Sequence, residues 1–230
     1  MKHLILISAM FLCALAAPAQ SAGSPVEPAH AVITFDLAWE AVTPQNFSIT
    51  VDSSGNAKYV SRGSAKPPEP ATNEQASEAE PDYVLEFTMS GAVKEKVFQL
   101  ARNANYFNGN FDYTAHRVAN TGKKTLGWTD ATRKFQTTYN WSDNKSVDQL
   151  TRIFAGISNT IEHGRKLQFL HRFDKLGLEA ELKNMEALAQ SGSLVEIQII
   201  APSLENIVND TAVLNIARQR ARHLLALNPS

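Results

Sequence analysis

Apolar side chains in this sequence recur at two different spacings, and the switch between them falls near Ser146. Upstream they alternate with polar residues, as in strands with one buried face. Downstream they return every three or four residues, as along helices that bury one stripe. One chain carrying both patterns in succession predicts an α+β fold: an antiparallel sheet of about five or six strands packed with helices, then a C-terminal helical subdomain. The expected division is a signal peptide over 1–19, a strand-rich α+β part over 20–145 and a helical part over 146–230.

In "AVITFDLAWEAVTPQNFSITVDSSGNAKYVS", Ile33, Phe35 and Leu37 alternate with Val32, Thr34 and Asp36, and Phe47, Ile49 and Val51 repeat the pattern before Asp52 to Asn56. That turn predicts a hairpin whose return strand is Ala57 to Ser61. Its oxygen-rich "DSSGN" lacks the regular acidic spacing and distal glutamate of a calcium loop. Residues 62–82, dominated by proline, glutamate, alanine and serine, read as a flexible insertion between strands. "DYVLEFTMS" resumes a strand, and Ser90 offers an N-cap to a helix whose Val93, Val97, Leu100 and Ala101 share one face. A second hairpin runs through "KKTLGWTDATRKFQTTYNW", turning near Asp130 to Thr132; Phe135, Thr137, Tyr139 and Trp141 fall on one face, with Leu126 and Trp128 facing across.

The long helix predicted from Ser146 carries Leu150, Ile153, Phe154, Ile157 and Ile161, with Leu167 and Leu170 beyond Gly164. Gly164 either ends this helix or permits close helix contact. Leu178 to Gln190 predicts a second helix between Gly177 and Gly192, with Leu178, Leu182, Met185 and Leu188 inward. The tail "APSLENIVNDTAVLNIARQRARHLLA" starts a helix with Pro202 and restarts at Asp210 as an N-cap; Val213, Ile216, Ala217, Ala221, Leu224 and Leu225 follow. In its proline start, intervening aspartate and alanine-rich second helix, this tail resembles a single HEAT-type helical hairpin. One such unit does not make a repeat array, so the resemblance implies a terminal hairpin packed on the rest of the chain. "SLVEIQII", residues 193–200, fits a helix and an edge strand equally well.

The N-terminus "MKHLILISAMFLCALAAPAQ" combines Lys2, an apolar run and small residues at 17–19, the pattern of a secretory signal peptide. The run is shorter than the roughly 20 residues of a membrane-spanning helix, and no later segment approaches that length. Cys13 is the only cysteine and lies inside the run, so cleavage removes disulfides, thiol catalysis and cysteine metal sites together. A net charge of −1, with acids and bases mixed, gives no electrostatic reason to expect nucleic acid. "RQRARH" places Arg218 and Arg222 on one helix face, read as solvated or paired with carboxylates. In general layout the mature chain resembles exported bacterial proteins, a likeness that implies no residue roles.

Catalytic patterns are scarce. His163 and His171 are eight apart, more than two helical turns, and cannot share a metal within one straight helix. No Gly-x-Ser-x-Gly or phosphate-cradling glycine loop occurs. No cofactor or metal is expected. Paired carboxylates remain open, with Asp112 and Asp130 as the candidate pair for glycan hydrolysis. In "ANYFNGNFDYTAHRVANTG", Tyr106 and Phe107 are expected to plug the preceding helix end and Asn108 to Asn110 to turn. Tyr113, His116 and Arg117, joined by Trp128 and Trp141, are the candidate binding residues, because aromatic and arginine side chains dominate protein interfaces. The expectation is an exported, non-enzymatic interaction or scaffold protein of the cell envelope with an envelope protein as partner; the alternative is a secreted hydrolase acting on glycan through Asp112 and Asp130.

Overall fold

The structure is a computed structural model that describes residues 30–62 and 82–227. The expected signal peptide, Cys13 and the interior of the expected 62–82 insertion lie outside the described residues.

Six strands form one sheet: β1 (Val32–Ala38), β2 (Asn46–Asp52), β3 (Asn56–Arg62), β4 (Tyr83–Thr88), β5 (Lys123–Thr129) and β6 (Lys134–Tyr139). Their order is β4-β3-β2-β1-β5-β6, with every neighbouring pair antiparallel. Register follows the alternation in the sequence. Phe35 lies opposite Ile49 on one side and Leu126 on the other, so odd-numbered apolar residues of β1 meet their counterparts on one face. That inner face is the core, with Ile33, Phe35, Ile49, Val51, Tyr59, Leu126 and Trp128 all fully buried.

Two helices cover it. α1 (Gly91–Asn103) turns Val97, Phe98, Leu100 and Ala101 inward, and Ser90 caps it as its spacing predicts, its Oγ accepting from the Val93 amide at 3.4 Å. α2 (Lys145–Phe173) is 29 residues, about 43 Å at 1.5 Å per residue. Its first half lays Val147, Leu150, Phe154, Ile157 and Ile161 on the sheet, where Phe154 stacks on Phe35 at 5.1 Å. Its second half enters another core: Leu167 packs with α3 (Leu178–Gln190), α4 (Ala201–Asn209) and α5 (Asn215–Ala226). The α4–α5 pair is the expected terminal hairpin.

Polar groups buried between sheet and helix are bonded to each other. Tyr59 donates to Glu162 Oε1 at 2.8 Å, Ser61 Oγ donates to the same oxygen at 3.1 Å, and Arg165 reaches Oε2 at 2.9 Å. Burial first, and the Glu162 carboxylate second, push the Tyr59 phenol far above its usual range.

Gly164 does not end α2. A Cβ there would stand 2.3 Å from Ile200 Cγ2, and one at Gly156 would stand 2.5 Å from Val195 Cγ2. These glycines and Thr160 make a small-residue stripe against which residues 193–200 lie. The segment is neither of the two forms its alternation allowed. The Val195 amide bonds to the Gly156 carbonyl at 3.3 Å and Thr160 Oγ1 at 3.1 Å, Glu196 is left-handed, and Ile197–Ile200 form a 3-10 turn into α4. The buried Glu196 carboxylate then accepts from the Ser90 amide at 2.8 Å and hydroxyl at 2.5 Å, placing negative charge at the α1 N-terminus.

Asp210 is not the N-cap that the sequence predicts for the last helix. α5 begins five residues later, and Asp210 instead closes the α4–α5 turn: it accepts from the Ala212 amide, His171 Nε2 at 2.9 Å and Lys175 Nζ at 2.6 Å. Two further helix contacts in this part have such a carboxylate. Glu181 on α3 meets His163 Nδ1 and Lys166 Nζ of α2, both at 2.5 Å, and Glu186 on α3 meets Arg220 and His223 of α5. Burial alone would raise the Glu181 carboxyl, but the bonds from His163 and Lys166 outweigh it and hold it below the usual range.

Two outcomes follow from this packing. Gly164→Ala should destabilise the protein by about 1–2 kcal/mol in urea unfolding, because overpacking a stiff β-branched neighbour exceeds the roughly 1 kcal/mol gain in helix propensity. Ile200→Ala in that background should restore more than additivity allows. For Glu181, a folded pKa below the unfolded one gives stability that is present above about pH 4.5 and is lost as pH falls through the folded value. Glu181→Gln should therefore cost about 2 kcal/mol at pH 7 and much less near pH 3, read by urea unfolding at both.

Candidate functional site

Between α1 and β5 the chain runs from Asn108 to Gly122 without a helix or strand. It is anchored at both ends by packing and hydrogen bonds. At the first end Asn105, Tyr106 and Phe107 all take left-handed φ, of 49°, 56° and 66°. Such conformations cost roughly 1–2 kcal/mol per residue. The burial that offsets this is the expected plug: Phe107 is wholly buried, Tyr106 meets Trp128 edge-on at 4.8 Å, and the Arg133 guanidinium sits 3.8 Å over the Tyr106 ring.

At the other end two polar residues hold the loop. Lys124 alternates with Leu126 and Trp128, so it lies on the inner face and is only 7% exposed. Its ammonium donates to the Thr121 carbonyl at 2.7 Å, Thr121 Oγ1 at 3.0 Å, the Gly122 carbonyl at 3.1 Å and the Asn140 carbonyl at 2.7 Å. Burial pushes Lys124 down to about 8, with the Asp112 carboxylate pulling the other way. Asn140, just past β6, uses every polar group it has. Its Oδ1 accepts from the Thr121 amide at 2.7 Å, its Nδ2 donates to the Ala119 carbonyl at 2.8 Å, and its amide donates to Asp112 Oδ1 at 2.8 Å.

The fixed loop carries half-buried Tyr113 and exposed His116 and Arg117. The Tyr113 amide donates to the Trp141 carbonyl at 2.9 Å, and the two rings meet edge-to-face at 4.8 Å and 88°. His116 lies 6.2 Å from the Tyr113 ring, and Arg117 is exposed next to it in sequence. Trp141, beyond the end of β6, is 39% exposed. The structure thus brings Tyr113, His116 and Trp141 together on one patch.

It does not add Trp128 to them. That indole is wholly buried against Phe98 and Tyr106, and its Nε1 donates to Asp130 Oδ2 at 2.9 Å. Alternation with Leu126 had already put it on the inner face, which here is covered. Nor do Asp112 and Asp130 form a pair. Asp112 bonds to Asn140, beside the Lys124↔Tyr139 end of the hairpin, whereas Asp130 follows the Thr129↔Lys134 end. A strand rise of about 3.4 Å per residue separates these ends by about 20 Å, against the roughly 5–10 Å of a glycosidase pair. Asp130 is moreover consumed by its turn, accepting from Trp128, the Thr132 and Arg133 amides and the Arg133 guanidinium. Those bonds prevail over desolvation and hold its carboxyl far below the usual range.

The outer sheet face is the other concave surface. Its groove of about 480 Å³ is lined by Asp36, Asn46, Ser48, Arg62, Lys123 and Gln136 among others. Among the described residues this face bears no aromatic side chain, and a polar, solvated face is ordinary for an antiparallel sheet. His163 and His171 are each engaged by a different carboxylate, and among the described residues no group of His, Cys, Asp and Glu is placed to hold a metal ion.

No protein family model matches the chain, and no curated protein is similar to it in sequence.

Lys124→Met removes one donor from each of four oxygens, so loop amides from Asp112 to Gly122 should exchange at least about tenfold faster. Trypsin should also cut after Arg117 sooner, while the sheet amides keep their protection.

Proposed function

We propose that this is an exported, non-enzymatic interaction or scaffold protein of the cell envelope that binds a protein partner through Tyr113, His116, Arg117 and Trp141. The observation that carries the reading is the anchoring of an irregular loop by Lys124 and Asn140, so that an aromatic pair is held at the surface. Ordering a loop costs roughly 1–2 kcal/mol per residue. A loop ordered in advance spares that cost when a partner binds. Tyrosine, tryptophan and arginine are also the side chains that contribute most to interfaces when they sit at a fixed surface.

Export rests on the signal-like N-terminus, with Lys2, the apolar run and the small residues at 17–19. Among the described residues no helix is long and apolar enough to cross a membrane. Mixed charge favours a protein over nucleic acid as the partner.

A photo-crosslinker at Arg117, used in the native envelope with mass spectrometry of the product, should capture one reproducible protein. With that protein purified, Trp141→Ala should weaken binding at least about tenfold by calorimetry, because it removes an exposed anchor. Its melting temperature should stay unchanged. Undiminished affinity in Tyr113→Ala, Arg117→Ala and Trp141→Ala alike would rule this surface out.

A further inference from the structure

Helix α2 crosses the sheet from one edge to the other. Thr151 bonds to Tyr139 of β6 at 2.7 Å, Phe154 stacks on Phe35 of β1 at 5.1 Å, Ser158 bonds to Tyr59 of β3 at 3.1 Å, and the Arg165 guanidinium lies 4.1 Å over the Tyr83 ring of β4. These contacts follow the order of the strands in the sheet. Thr151 to Arg165 is about 21 Å of helix and the five spacings from β6 to β4 are about 24 Å, so α2 runs almost at right angles to the strands. The sheet ends at β4, but the helix does not. From Arg165 to Phe173 it projects about 12 Å further, room for about two more strands at about 4.8 Å each.

The sheet-facing stripe of α2 continues along this projection. At about 100° per residue, Phe169, Arg172 and Phe173 lie within about 80° of Arg165, whereas Leu167, which enters the helical core, lies about 160° away. The Phe169 and Phe173 rings are 5.0 Å apart, and Phe173 is 63% exposed. At the opposite end of the same stripe Val147 and Leu150 are fully buried. The sheet below shows the same asymmetry. Inner-face side chains of β1, β2, β3 and β5 are buried, but those of β4, Tyr83, Leu85 and Phe87, are only half-buried. Among the described residues only β3 pairs with β4. Native edge strands are ordinarily blunted by lysine, proline or a bulge. "YVLEFT" has neither residue, and it pairs with β3 without interruption from Ser61↔Tyr83 to Asn56↔Thr88.

We infer that this notch is a β-addition site: it takes an extended segment of a protein partner as a seventh strand beside β4, with apolar side chains at alternate positions packing beneath Phe169 and Phe173. A free strand edge is a row of amides and carbonyls, and the group that satisfies such a row is another strand. The projecting helix supplies the apolar cover that the inward side chains of an added strand require. Alternation in the incoming segment follows from the strand period of two. A second copy of this chain does not fit the notch. Both of its edge strands carry helix contacts of their own on the inner face, Tyr139 with Thr151 and Tyr83 with Arg165, so neither offers a free apolar face to Phe169 and Phe173. The Tyr113 and Trp141 patch lies by the end of β6, at the other edge, so the two readings stand or fall separately.

The test is amide exchange and calorimetry with a synthetic peptide of alternating valine and threonine closed by a lysine at each end. Its control is the same peptide N-methylated at every valine and threonine, which keeps the side chains and loses the backbone donors. In the free protein, amides of Tyr83–Thr88 on the open edge should exchange faster than those of β1 and β2. At saturation with the peptide they should slow at least about tenfold while the β6 amides do not change. The N-methylated peptide, and separately Phe173→Ser, should each weaken binding at least about fivefold. Phe173→Ser should keep the parent's melting temperature, because the ring is exposed. Absence of binding, equal binding of the N-methylated peptide, undiminished binding by Phe173→Ser, or protection at β6 in place of β4 would overturn the inference. So would β4 amides as protected in the free protein as those of β1, or protection that grows with protein concentration alone, since this chain or a second copy would then occupy the edge.

Discussion

Helix α2 is the wall that both cores share, and most of the structure depends on how it divides its surface. One stripe, Val147, Leu150, Phe154, Ile157 and Ile161, covers the inner face of the sheet. A second, made of small residues, Gly156, Thr160 and Gly164, receives Val195 and Ile200 of the returning chain. Leu167 then continues into the helical core. A sheet that buries only one face needs a partner there, and short helices gain most of their stability from packing rather than propensity. Removing α2 would therefore leave the sheet half uncovered and the terminal hairpin without a wall.

Buried charge follows the same logic of shared elements. Glu196 joins the C-terminal segment to α1, Glu162 joins α2 to β3, and Glu181, Glu186 and Asp210 join pairs of helices. Each is compensated where it is desolvated, as a buried carboxylate must be. Lys124 is the cationic counterpart: its four acceptors belong to Thr121, Gly122 and Asn140, so one ammonium connects a strand, the end of a loop and the start of the next connection. The surface patch of Tyr113 and Trp141 is held in place by these bonds and by Asn140.

Much of this is legible in the sequence. Alternation placed Ile33, Phe35, Leu37, Phe47, Ile49 and Val51 on one face, and the structure buries all of them. The stripe from Leu150 to Ile161 predicted the long helix, and Ser90 its neighbour's cap. The candidate site was legible only in part. Tyr113, His116 and Trp141 do meet, but Trp128 shares the parity of Leu126 and so faces the core. The same parity puts Lys124 inward, a signal that a lysine's usual exposure masks. Asp112 and Asp130, close in sequence, lie at opposite ends of a hairpin because the strand between them is extended.

What the sequence by itself determined is local: which residues share a face, where a helix can begin, and which chemistries lack their motifs. Those properties follow from the period of the backbone and from single side chains near their own amides. Only the tertiary structure decided which face is covered, whether Gly164 breaks a helix or admits Ile200, and what Asp210 binds. It also decided the form of residues 193–200, whose alternation suited two regular structures and whose amides and side chains fit α2 in neither. The physical reason is that burial and hydrogen-bond satisfaction depend on partners far along the chain, such as Ser90 with Glu196, and no local pattern encodes the partner.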